Sequence, residues 1–174
     1  MLALIRPFAR PRAVLALLAT ALAAVAFALL GPFAPANAST STVNVAGTFS
    51  FKGSLLVGCP TGSLLCTSGS MNGGVHGNFT MNLISALPAP DPGVQYFTGK
   101  LTLTSLAGKL NCTLDGAANF NTTSEGEFGE ICVITGGTGT YANAKGDLRM
   151  IGTSTSQLLI IPSGTGIYQG TIHK

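Results

Sequence analysis

Beyond residue 38, apolar and polar residues alternate along most of the chain. Val43, Val45, Phe49 and Phe51 take odd positions, while Asn44, Thr48, Ser50 and Lys52 take even ones. Period two marks a strand with one dry face and one wet face. Val75, Phe79, Met81 and Leu83 repeat it against His76, Asn78, Thr80 and Asn82. Phe97, Gly99, Leu101 and Leu103 do so against Thr98, Lys100, Thr102 and Thr104. The phase then reverses between Ser105 and Gly108, so that Leu110, Cys112 and Leu114 oppose Lys109, Asn111, Thr113 and Asp115. A tight turn or a bulge accounts for such a reversal. The pattern predicts further strands over residues 117–121, 128–135, 146–153, 157–161 and 166–172.

No segment after residue 38 sustains a helical period. Eight or nine short one-sided strands imply an all-β domain with antiparallel pairing, either closed into a barrel or stacked as a sandwich. Closure also removes exposed edges. Residues 57–74 and 85–93 read as long loops, the second because Pro88, Pro90 and Pro92 forbid regular pairing.

The first 38 residues follow another rule. Arg6, Arg10 and Arg12 precede an apolar run over residues 13–30 that is broken only by Thr20. Gly31, Pro32 and Pro35 then break the helix, and Ala36, Asn37 and Ala38 supply small residues for a cleavage site. This is the layout of a secretory signal peptide cut after Ala38, favoured over a retained anchor by the A-x-A ending. Two units follow: a signal over residues 1–38 and one β domain over residues 39–174. The protein is expected to be secreted, extracellular or periplasmic, with no membrane span after cleavage.

Export changes the reading of the cysteines. Cys59, Cys66, Cys112 and Cys132 all fall in the β domain, and an even number in an oxidising compartment predicts two disulfides. Of three pairings, Cys59–Cys66 and Cys112–Cys132 are favoured. The first closes a loop around Pro60 and Gly62; the second joins two predicted strands. No C-x-x-C pair occurs and the two His are badly placed, so no metal site is expected. Gly, Thr, Ser and Asn fill 62 of the 136 residues after Ala38, a mix that disfavours helices. Six basic residues face six acidic ones over that stretch. A near-neutral domain gives no electrostatic footprint for a nucleic-acid partner.

Residues 134–146 read Ile-Thr-Gly-Gly-Thr-Gly-Thr-Tyr-Ala-Asn-Ala-Lys-Gly. Here a strand ends at Ile134, and Gly136, Gly137 and Gly139 allow a sharp turn with positive φ. Tyr141 and Ala144 stand three apart, as in one helical or 3₁₀ turn, and Gly146 returns the chain to a strand. The Gly-Lys-Ser/Thr of a phosphate-binding loop is missing, and so are the helix and parallel sheet that a dinucleotide fingerprint needs. No cofactor is expected. The segment resembles the G-G-T-G-x-[FY]-x-x-A-x-G stretch of the allene oxide cyclase and dirigent barrel superfamily, with Gly136, Gly137, Thr138, Gly139, Tyr141, Ala144 and Gly146 matching. The resemblance implies a single eight-stranded antiparallel closed β-barrel, calycin-like, often a homo-trimer, with a cavity along its axis. It also implies that the motif is structural. Superfamily pockets are similar in using charged groups inside the barrel, for cyclisation or to guide radical coupling, whereas here the apolar phase is almost free of charge.

Glu130 is the exception. It shares phase with Phe128, Cys132 and Ile134, and burial would raise its pKa. It is the weak catalytic candidate, as an acid or base, and also a ligand-binding candidate. Tyr141 and Tyr168 are the other ligand-binding candidates, through their hydroxyls. His76 lies on the polar phase, and His173 is expected to fray at the C-terminus. No G-x-S-x-G elbow or H-E-x-x-H helix occurs. Three functions are carried forward: a secreted barrel that binds a small apolar molecule, a surface protein with a side-chain-filled barrel, and a cyclase or coupling guide.

Overall fold

The computed structural model describes residues 41–54, 59–120, 125–155 and 162–174. The alternating segments form eight strands: β1 (Thr42–Ser54), β2 (Leu65–Gly73), β3 (Gly77–Pro88), β4 (Val94–Ser105), β5 (Gly108–Asn119), β6 (Gly126–Gly137), β7 (Lys145–Ser154) and β8 (Ser163–His173). Each pairs antiparallel with the next, and β8 pairs with β1, so the sheet closes into a barrel. The barrel, one of the two architectures left open by the alternation, is the one adopted.

The period-two pattern sets the inside. Val45, Phe49, Met71, Phe79, Leu101, Leu103, Leu110, Leu114, Leu148, Met150, Tyr168 and Ile172 are buried in one core cluster. The phase reversal after β4 is a tight turn: Ser105 pairs with Gly108, whose φ is +128°. A side chain at Gly108 would strike the Thr138 carbonyl, so only glycine fits.

Several sequence-based boundaries move. The stretch 57–74 is not all loop, because β2 occupies Leu65–Gly73. Its inward positions include Thr67 and Gly69, so it lacks the apolar alternation that marks the other strands. Nor is 85–93 all loop: β3 passes a bulge between Leu83 and Ser85 and continues to Pro88, which stands at the strand end and pairs with Gln95. Residues 117–119 belong to β5 and are not a separate strand. The expected strand at 157–161 lies outside the described residues. His173 is not frayed; it pairs with Thr42 and Lys145, and the Thr42 hydroxyl bonds its Nδ1 at 2.9 Å.

The two barrel ends differ. At one end β2 turns into β3 and β4 into β5, while the chain leaves β6 through a 3₁₀ turn at Gly139–Tyr141. That crossing is clamped to the β4–β5 hairpin. The Thr138 N–H donates to Lys109 O at 2.8 Å, and the Thr140 N–H to Ala107 O at 2.9 Å. Tyr141 and Ala144 are buried and stop this end of the barrel. The motif segment turns largely as its glycines predict: Gly136 and Gly139 have positive φ, as does Gly146 where the chain re-enters a strand, whereas Gly137 does not, because β6 runs past Ile134 to that residue.

Both disulfides form as expected, Cys59–Cys66 and Cys112–Cys132. The first ties the approach to β2 onto β2 itself. The second joins β5 to β6 within the core, where both cysteines are buried.

Candidate functional site

The other end of the barrel is hollow. A cavity of about 160 Å³ opens there, walled by residues near the ends of β1, β3, β5 and β7, near the starts of β2, β4 and β6, and by Pro162 just before β8. Phe49, Phe51, Phe79, Phe97, Phe120 and Phe128 all line it. They are the only phenylalanines after residue 38.

An eight-stranded barrel is just narrow enough to be filled by its own side chains. This end is not filled, because the rings lie along the wall. Phe49 pairs across the sheet with Gly166, Phe51 with Gly164, Phe79 with Gly69, Phe97 with Gly116 and Phe128 with Gly152. Each ring covers its glycine partner. A methyl group on Gly164, Gly69, Gly116 or Gly152 would stand 2.6–2.8 Å from the tip of the ring opposite. Phe120 covers Gly126 in the same way, at 2.6 Å. The ring fills the space of the missing side chain, as in aromatic covering of sheet glycines, and the axis stays open. Phe49, Phe51 and Phe128 also pack on one another, with ring centroids 5.6–6.4 Å apart.

Polar groups in this wall are few. Glu130 follows Phe128 on the inward face of β6, is 6% exposed, and among the described residues is the only charged one in the lining. It pairs with Gly116, and a Cβ on that glycine would lie 2.8 Å from the Glu130 Cβ and 2.6 Å from the Phe97 ring. Glycine there gives both side chains room. Burial pushes the Glu130 carboxyl up from 4.5 to about 7, because no nearby cation offsets the loss of water.

Thr67 and Ser154 are the other buried polar side chains of the wall. Thr67 Oγ1, Glu130 Oε2 and Ser154 Oγ are buried without a hydrogen-bond partner. Native interiors rarely leave such atoms orphaned, since each costs about 1–3 kcal/mol. Here three of them line one cavity.

Of the sequence-based candidates, Glu130 therefore lies in the cavity wall, whereas Tyr141 and Tyr168 do not. Tyr141 is buried at the closed end, with the Lys174 ammonium 4.7 Å from its ring centroid. The Tyr168 hydroxyl accepts from the Val75 N–H at 2.8 Å and donates to Val75 O at 2.7 Å. That group braces the β2–β3 turn and is already committed. Neither tyrosine lines this cavity.

Sequence reasoning missed Thr67, Ser154 and the glycine partners of the phenylalanines. A signal exists in retrospect: Gly47, Gly69, Gly116, Gly152, Gly164 and Gly166 all fall on the inward phase of their strands. Which ring covers which glycine depends on register, which one sequence does not state. Among the described residues no group of three or more His, Cys, Asp and Glu could hold a metal ion.

Fold and site together define a class: a closed, disulfide-bonded, eight-stranded antiparallel barrel with an aromatic cavity at one end. Comparison with protein-family models, with curated proteins and with solved structures finds no match.

Proposed function

We propose that this chain is a secreted barrel protein that binds a small, mainly apolar molecule in its axial cavity. The observation that carries the reading is the Phe-walled cavity of about 160 Å³ with its three unpartnered polar atoms. An apolar cavity of roughly 150 Å³ takes a ligand the size of one aromatic ring, and a few fixed polar groups orient it. Two disulfides suit an oxidising compartment. Among the described residues no helix is long and apolar enough to cross a membrane.

A cyclase or coupling-guide reading rests on the motif resemblance and on Glu130, whose raised pKa suits acid–base work. Its weakness is that, among the described residues, Glu130 has no second charged group in the wall to share such work. A side-chain-filled barrel acting only through its surface is disfavoured by the open cavity.

Native mass spectrometry of the protein purified from a secreting host tests the binding reading. We expect an adduct of small-molecule mass, or one formed on adding a panel of lipids, terpenoids and phenolics. A clean mass unchanged by the whole panel would remove the reading. The same spectra report whether the chain is the homo-trimer that the resemblance implies.

A further inference from the structure

The cavity wall has an uneven hydrogen-bonding inventory. An ionised Glu130 only accepts, and the Thr67 and Ser154 hydroxyls each offer two acceptor lone pairs against one proton. Among the described residues only Gln95 adds an amide donor, and none of the described lining residues is Lys, Arg, His or a second Asp or Glu. Arg149 and Asp147 on β7 and Asp115 on β5 belong to the outward phase of their strands.

The remainder of the wall is aromatic. Ring faces carry negative quadrupole potential and attract cations, most strongly where water is excluded. Phe128 precedes Glu130 by one inward position, and Phe49 and Phe51 pack against Phe128. Phe97 reaches the space beside Glu130 that Gly116 leaves empty. A carboxylate in a wall of phenylalanines, with unpaired acceptors and no cation among the described lining residues, is a site that lacks its counter-charge.

Taking the cavity as a binding site, we propose that its ligand is a small aromatic or apolar cation, an amine or ammonium compound, whose charged group sits at Glu130 while its apolar part lies against the phenylalanines. A protonated primary amine brings three donors and no acceptor, the complement of this wall. An anionic ligand would meet Glu130 without any cation to hold it. A neutral alcohol would satisfy fewer of the orphaned atoms and leave the carboxylate uncompensated. Pairing with a cation also favours ionised Glu130, against the burial that holds its pKa near 7. Affinity for an amine should therefore rise with pH through the range where Glu130 ionises.

The test compares 2-phenylethylamine, 2-phenylethanol and phenylacetate, which share one ring and differ in their polar group. Each is titrated calorimetrically, at millimolar concentration, into protein expressed from the full sequence. At pH 7.5 the amine should bind at least about tenfold tighter than the alcohol, with the gap narrowing at pH 5.5. Glu130→Gln should remove both the preference and its pH dependence. An alcohol that equals or exceeds the amine, or a phenylacetate that binds best, would overturn the cationic ligand and leave the cavity reading standing. Binding by none of the three would count against the cavity reading itself. If Glu130→Gln fails to fold, the pH profile of the unmutated protein still decides: an amine affinity that does not rise between the two pH values defeats the proposal.

Discussion

At the closed end of the barrel, aliphatic side chains such as Val45, Val75, Leu103, Leu110 and Ile172 point to the axis and meet there. The Tyr168 hydroxyl is tied to both backbone groups of Val75, and the Tyr141–Ala144 crossing stops the opening. At the open end the same eight strands carry phenylalanines that lie back over glycines, and three polar atoms have no partner. One end is filled and satisfied; the other is hollow and unsatisfied. Pairing large side chains with glycine across the sheet keeps the wall dense without closing the bore. Dense packing and open space thereby fall to different halves of a single core.

That division is sharpest for substitutions that remove bulk. Leu148 is fully buried, between the Cys132 and Gly170 positions of its neighbours. Leu148→Ala should cost about 2–5 kcal/mol, the range for a buried leucine whose site cannot collapse. Chemical denaturation would measure it, and ligand affinity in the folded fraction should be unchanged. Leu64, half exposed at the mouth, should cost under about 0.5 kcal/mol as alanine, since exposed sites seldom matter to folding. If the mouth substitution cost as much as the core one, the two-part picture would fail.

The closed end was largely legible in the sequence. Alternation fixed the phase of β1, β3, β4 and β5, and the glycine spacing of residues 134–146 announced a turn and a crossing. These are local signals, and they suffice where each strand supplies its own apolar residues. The open end was legible only in part. Glu130 could be read from its phase with Phe128 and Cys132, because a charge on an apolar phase stands out. β2 was invisible because its inner face is covered by a neighbour: Phe79 sits over Gly69. A strand that borrows its hydrophobic surface from across the sheet leaves no period-two trace of its own. The partner of the Tyr168 hydroxyl, Val75, is 93 residues away in sequence, so that contact too depends on pairing that one sequence does not state.

Glu130 offers a second way to separate the ends, by pH. Its carboxyl ionises near 4.5 in the unfolded chain and at about 7 in the barrel. Between those values the folded state holds a proton that the unfolded state has lost, so stability falls as pH rises. A shift of that size corresponds to roughly 3 kcal/mol, present in full below pH 4.5 and gone above pH 7. Denaturation midpoints measured from pH 4 to 8 should trace this loss, and Glu130→Gln should flatten it. An unchanged slope in the variant would place the titration elsewhere.

A further substitution tests the ring-on-glycine arrangement itself. A methyl group at Gly152 would lie 2.7 Å from the Phe128 ring and 2.6 Å from the Thr165 carbonyl oxygen. Gly152→Ala should therefore cost about 1–3 kcal/mol, the usual cost of overpacking, as Phe128 is driven off the wall and into the bore. Ligand binding should weaken with it, which a purely backbone clash would not require. Combining Gly152→Ala with Phe128→Leu separates the two obstacles. The shorter side chain removes the ring contact and leaves the carbonyl contact in place. If the pair is less destabilised than the sum of the single variants, the ring is what occupied the glycine's space, and the coupling measures how much of the open end depends on it. Strict additivity would mean that the carbonyl alone excludes the methyl group, and that the hollow end owes its shape to the strand path and not to the phenylalanines.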